Sequence, residues 1–284
     1  MKIGPYEIKI VENGFFGLDG GAMFGIVPKP LWEKKIPSDS KNRIPLGLRS
    51  MLLLGPNRKI IVETGIGTSF PPKEQEIYAI DHKTVDTTSS LKTVGLTPKD
   101  ITDVFITHLH FDHVGGATYL DNNKEPALTY PNARYYVQKE QWEWAHKPTE
   151  KDQGSFISSL FDPLKESGKL ELIDGPGSWL PNLEIAVVNG HTIGLQMLYL
   201  SEGAESILFC SDLIPTSAHL GLPWIMGYDI EPLVTLEEKK IWLKRMHEEN
   251  GYLFFGHDPK IAYGKVGIDE RGRYYLIDPS FSPS

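Results

Sequence analysis

Thr107-His108-Leu109-His110-Phe111-Asp112-His113-Val114-Gly115-Gly116 is the stretch that decides how this chain reads. Three imidazoles and one carboxylate stand between His108 and His113. The apolar run Val104 to Thr107 before them has the composition of a strand, and the two glycines after them permit a tight turn. Imidazole nitrogen and carboxylate oxygen suit zinc or a similar divalent ion. Adjacent side chains in so short a segment point in different directions, so the four groups do not fit around one ion. Two ions, each taking some of the four, resolve this. A lone histidine in a loop is ordinarily just a polar residue, but a cluster this dense is a ligand set.

Further ligand types follow other apolar runs. His191 comes after Leu183 to Val188, Asp212 after Ile207 to Cys210, and His257 after Tyr252 to Phe255. Strand ends suit ligands, because a sheet holds them rigidly while the loops leave access for a substrate. Each match alone is weak; the three together complete the set.

The remaining organisation is that of an α/β chain. Tyr6 to Val11, Ala22 to Val27, Arg49 to Leu54, Lys59 to Val62, Arg134 to Val137, Met197 to Leu200 and Tyr274 to Ile277 also read as strands. Thr88 to Val94, Lys139 to His146 and Leu236 to Asn250 read as helices, the last with Thr235 as its N-cap. No linker divides residues 1–284, so one domain is expected, with a long surface loop from Pro28 to Pro45.

Composition narrows the function. A net charge of -8 argues against a nucleic-acid partner, which needs a basic field. The single cysteine, Cys210, rules out an intrachain disulfide and suits a reducing compartment. Apolar runs such as Met51 to Leu54 are far too short to span a bilayer, and Met1 to Ile10 lacks the features of a signal peptide. A soluble cytoplasmic protein without a membrane partner is expected.

The pattern His-x-His-x-Asp-His followed by His191, Asp212 and His257 resembles the metallo-β-lactamase superfamily. The resemblance implies an αββα sandwich of two mixed β-sheets flanked by helices, with two zinc ions at one edge. It implies that His108, His110 and His191 hold the first zinc, that Asp112, His113 and His257 hold the second, and that Asp212 bridges them. Two such ions acidify a shared water enough to supply hydroxide near neutral pH, with Asp112 orienting it and shuttling its proton. Val62-Glu63-Thr64-Gly65 matches the family's early strand-end motif, with Glu63 where an aspartate usually braces the metal loop.

Two stretches, Gly20 to Pro28 and Asp212 to His219 with Pro223 to Asp229, are similar to N-acyl-homoserine lactonases and methyl parathion hydrolases of this superfamily. That implies quorum-quenching lactone ring opening on a small-molecule substrate, with a phosphotriester or carboxylester as the alternative. A non-catalytic metal-binding module is the competing class. The best-known lactonases of the group carry a tyrosine three positions after the bridging aspartate, where this chain has Pro215. Tyr228 and His219 are the candidates to replace it. Met23, Phe24, Trp224 and Met226 join them as candidate walls of an acyl-chain pocket. Many relatives are dimers, which makes the Pro28 to Pro45 loop a candidate arm of a homodimer.

Overall fold

Met51, Leu52 and Leu53 are consecutive in one strand, so their side chains alternate between its two faces, yet all three are fully buried. The strand must therefore be covered on both sides. In the computed structural model of the chain, which describes residues 1–281, this arrangement recurs throughout. Met51, Leu53, Ile60, Val62 and Phe105 pack against Leu198, Leu200, Ile207, Phe209 and Phe254 of a second sheet. Leu52, Ile61, Val104 and Tyr135 face the other way, toward Leu91, Trp142 and Phe161 on helices. The second sheet repeats the pattern, with Met197, Leu208, Leu253 and Phe255 against Trp242, Leu243 and Met246. Three apolar layers thus separate four layers of backbone, in the order helix, sheet, sheet, helix.

The first sheet has the spatial order Lys2–Ile3, Tyr6–Asp19, Arg43–Leu54, Lys59–Val62, Asp103–Phe105, Arg134–Gln138 and Leu170–Ile173. Its last four strands are parallel. The second runs Gly177–Leu180, Leu183–Val188, Leu195–Glu202, Glu205–Phe209, Tyr252–Phe254, Ile261–Ile268 and Tyr274–Phe281. Glu205–Phe209 and Tyr252–Phe254 are parallel to each other, and the rest pair antiparallel. Both sheets are mixed, as expected. No helix among the described residues is long and apolar enough to cross a membrane.

Several local expectations change. Ala22 to Val27 is not a strand: Gly20–Phe24 is a short helix, capped by Asp19, whose carboxylate accepts the Ala22 N–H at 2.8 Å. The Pro28 to Pro45 segment is not all loop. Lys29–Trp32 is helical with Trp32 buried, and Arg43 to Pro45 already belong to the strand Arg43–Leu54, pairing with Asp19 to Gly17. The long helix runs Pro232–Glu248, with Pro232 in its first turn, so Thr235 lies inside it and not at its cap. The helix Ser158–Glu166 and the strands Leu170–Ile173 and Ile261–Ile268 have no counterpart in the sequence reading.

One residue of the long helix is unusual. Lys239 is fully buried, and its ammonium donates to the carbonyls of Gly221 at 2.9 Å and Trp224 at 2.7 Å. Burial pulls its pKa down to about 7, while Asp229 pulls the other way. An unfolded chain returns this lysine to about 10.4. Between roughly pH 7 and pH 10 the unfolded state therefore binds more protons, and stability rises with pH on this account. Urea midpoints at pH 7 and pH 9.5 should increase more for the wild type than for Lys239→Met; equal increments would show that the buried amine does not titrate in this window.

Candidate metal centre

The polar groups gather where the central strands end. Lys59–Val62 delivers Glu63, Asp103–Phe105 delivers the Thr107 to His113 segment, Leu183–Val188 delivers His191, Glu205–Phe209 delivers Asp212, and Tyr252–Phe254 delivers His257. Three groups of three ligand-type atoms result: His108 with His110 and His191, Asp112 with His113 and His257, and Glu63 with His108 and His113, the last sharing a histidine with each of the other two. All seven residues are buried.

Their nitrogens have a consistent orientation. His108 Nε2 and His191 Nε2 each lie 3.1 Å from His110 Nδ1, and His257 Nε2 lies 3.0 Å from His113 Nε2. Bonds of about 2.0–2.1 Å to one tetrahedral ion would space ligand nitrogens by roughly 3.3 Å. The outward nitrogens of four of the five histidines are held by other groups, whereas the buried Nε2 of His110 has no hydrogen-bond partner among the described residues. His108 Nδ1 meets the Thr107 hydroxyl at 2.9 Å, His113 Nδ1 meets Glu63 at 2.8 Å, His191 Nδ1 meets Asp229 at 2.8 Å, and His257 Nδ1 meets the Gly47 carbonyl at 2.9 Å. Such partners fix ring orientation and tautomer in metal-binding histidines. His110 packs against the Phe156 ring.

Asp212 stands between the first two of these groups. Its carboxylate reaches His191 at 3.3 Å, His257 at 3.3 Å and His113 at 3.5 Å. Its buried Oδ1 has no hydrogen-bond partner among the described residues. A buried carboxylate oxygen without a donor, facing converging imidazole nitrogens, is an environment that fits a cation. Burial opposes the charge on Asp212, but His113, His257 and His191 outweigh it and hold the carboxyl well below its usual range. Burial and then neighbouring imidazoles keep His108 and His110 well below the ordinary histidine value. They are therefore neutral, the form that ligates metal. The other three shift the opposite way: burial lowers them, but Glu63, Asp112 and Asp212 raise His113, and Asp212 raises His191 and His257.

Glu63 preserves the brace that its extra methylene put in question. Its Oε1 accepts the Thr107 N–H at 2.9 Å while Oε2 holds His113. Its backbone is left-handed, with φ of 73°. Ser211, just before Asp212, is also left-handed at 45°. Backbone of this kind in non-glycine residues concentrates at functional sites. The glycines that end the motif serve close approach and not a turn: a Cβ on Gly116 would lie 2.0 Å from the Thr64 carbonyl, and one on Gly115 would lie 2.2 Å from that of Ile66.

A cavity of about 270 Å³ opens onto this cluster. Asp112, His110, His191, Asp212 and His257 form its polar floor, and Met23, Met226, Tyr228 and Tyr78 are among its walls. Three other residues considered for this pocket lie outside it. Phe24 is fully buried, stacked on Trp32 and on His219. His219 is buried beside it, with Nε2 donating to the Met23 carbonyl at 2.8 Å and Nδ1 accepting from Thr216 at 2.8 Å. Burial lowers its pKa to about 4, so it remains neutral. Trp224 lines a larger groove, about 1410 Å³, that contains none of the ligand-type histidines and is set apart from the chemistry. Pro215 contributes its backbone, whose carbonyl accepts the His257 N–H at 3.1 Å. His82, which reads as a surface residue, is half-buried between the carbonyls of Asn13 and Gly67. Tyr78 and Lys151 carry no motif and emerge only from the structure; Asp229 closes the Pro223 to Asp229 stretch, but its role as partner of His191 Nδ1 emerges only here.

The sequence profile of the metallo-beta-lactamase superfamily matches residues 45–257, from the strand Arg43–Leu54 to the last histidine of the cluster. The chain belongs to that superfamily. It is thereby placed among metal-dependent hydrolases. A probable metal-dependent hydrolase from Staphylococcus aureus superimposes with a TM-score of 0.88 at 28% identity, covering 98% of this chain and 99% of that one. The dizinc quorum-quenching lactonase AidC superimposes with a TM-score of 0.80 at 23% identity over 100% and 97% of the two chains, a likeness of fold. In sequence, the chain is 27% identical over 171 residues to the N-acyl homoserine lactonase AiiA of Bacillus thuringiensis subsp. kurstaki. That match spans 59% of this chain and 60% of the length of the lactonase.

Proposed function

We propose that this superfamily member is a dinuclear zinc lactonase that opens N-acyl-homoserine lactones. The observation that carries the proposal is the pair of converging ligand sets joined by Asp212 beneath a small cavity walled in part by Leu18, Met23, Leu46 and Met226. His108, His110 and His191 would hold one ion, Asp112, His113 and His257 the other, with Asp212 shared. When bound, the two ions supply Lewis acidity and an acidified water. The similarity to a curated lactonase supports a lactone over other esters.

The chain's own groups account for the rest of the reaction. Asp112 is in the cavity floor, with side-chain exposure of 11%, so its carboxylate can orient the attacking water and hold its proton. The water oxygen bonds to the lactone carbonyl carbon, the acyl–oxygen bond of the ring breaks, and the ring oxygen receives the proton from Asp112. The product is a hydroxy acid. Tyr228 takes the place of the phenol missing at Pro215. Burial first, then Asp112, pushes its pKa up to about 12, so it stays protonated and can donate to a lactone oxygen.

Zinc-loaded protein should open acyl-homoserine lactones with release of acid, and Tyr228→Phe should lower kcat/KM by about 10-fold to 100-fold, the range of one lost hydrogen bond. Absence of turnover across short- and long-chain lactones would overturn the proposal. Faster turnover of phosphotriesters or aryl esters than of any lactone would replace it with the alternative substrate class.

A further inference from the structure

We propose that Lys151 is a positioning residue that holds one wall of the substrate cavity in place. Lys151 is exposed, on the segment after the helix Lys139–Ala145. Exposed lysines ordinarily keep their rotamer freedom, which is costly to lose. This one spends it on a single strip of backbone. Its Nζ lies 3.0 Å from the carbonyl of Gly227, 2.9 Å from that of Tyr228 and 2.8 Å from that of Asp229. An ammonium has three N–H donors, and three consecutive carbonyls match that number.

The strip is functionally placed at both ends. Tyr228 lines the cavity beside Met226, and Asp229 holds His191 Nδ1. Lys151 itself lines the same cavity. The two ends are anchored differently, however. Beyond Asp229, Ile230 N–H donates to the His191 carbonyl at 3.2 Å and Glu231 N–H to that of Gly190 at 2.9 Å. The Asp229 end therefore has backbone support of its own. On the Tyr228 side, Gly227 N–H donates to the Ala22 carbonyl at 2.8 Å and Asp229 N–H to that of Met226 at 3.3 Å, and the ammonium adds a restraint on the carbonyls of the same strip. Losing Lys151 should thus loosen the wall bearing Tyr228 more than it disturbs His191. Substrate binding should suffer before chemistry does.

This inference rests on the functional reading above, and the experiment keeps the two apart. Hydrogen–deuterium exchange on the zinc-loaded full chain is expected to be at least 10-fold faster at the Gly227 and Asp229 amides in Lys151→Met. With a substrate that the wild type turns over, KM should rise about 10-fold while kcat stays within about threefold, with zinc content unchanged. Unchanged exchange overturns the proposal. So does a loss of zinc, or a fall in kcat at constant KM, since either would place the effect at the metal ligands. If the wild type opens no lactone, the functional reading fails, while the exchange rates still decide whether Lys151 holds the strip.

Discussion

Asp112→Asn is expected to lower kcat by about 10²- to 10⁴-fold, the usual range for a positioned proton-transfer group. The substitution is nearly isosteric and keeps one carbonyl oxygen for the metal site. It removes the charge that orients a water and holds its proton. Asp112 faces the cavity and comes within 3.6 Å of His257 and 3.7 Å of His113, with no contact of this kind to His191. The other cavity carboxylate, Asp212, is surrounded by His113, His191 and His257. Circular dichroism and metal content, measured alongside the rate, should show a folded protein that keeps the His108, His110 and His191 ion. A rate within threefold of wild type would remove Asp112 from the chemistry.

Arg49→Met is expected to produce the largest loss of stability, about 3–5 kcal/mol, the range for removing one partner of a buried ion pair. Arg49 is completely buried, and its Nε donates to Glu12 at 2.7 Å. Its Nη1 donates to the carbonyls of Phe255 at 3.0 Å, Asp258 at 3.0 Å and Ile261 at 3.1 Å. These carbonyls bracket His257, so a residue of the first sheet fixes the loop that carries a ligand from the second. The substitution leaves Glu12 charged without its cation and three buried carbonyls without a donor. A urea midpoint falling with little change in slope would report this. The double variant Glu12→Leu with Arg49→Met should recover only part of the loss, because the carbonyls stay unpaired. A loss below about 1 kcal/mol for the single variant would contradict the role assigned to Arg49.

The convergence of the ligand-type residues was legible because its information is local. His108 to His113 are near neighbours in sequence, and His191, Asp212 and His257 each follow an apolar run that reads as a strand. The two-sheet sandwich was legible through the family resemblance, and the strands Met51-Leu52-Leu53 and Ile60-Ile61-Val62, buried on both faces, show why the fold takes that form. What sequence reading missed depends on contacts between distant residues. Asp229 meets His191 from 38 residues away, and Lys151 reaches the 227–229 strip from 76 to 78 residues away. Tyr78 lies just after the exposed helix Pro72–Ile77, with no pattern to mark it as a cavity wall. His219 looked like a pocket residue by its place near Asp212, but its ring is consumed by Thr216, Met23 and the Phe24 stack. The Ala22 to Val27 error has a similar origin. The run is apolar, but Asp19 caps a helix there, and Gly20 makes room for Trp32, whose ring would lie 2.4 Å from a Cβ.

The central claim is that the two ligand sets joined by Asp212 hold two ions that act together in hydrolysis. It is tested most directly by titrating zinc into chelator-treated protein while following metal content and lactone opening in the same samples. The expected result is binding of two equivalents per chain, with activity appearing as the second equivalent is taken up. Saturation at one equivalent, or full activity before the second binds, would contradict it.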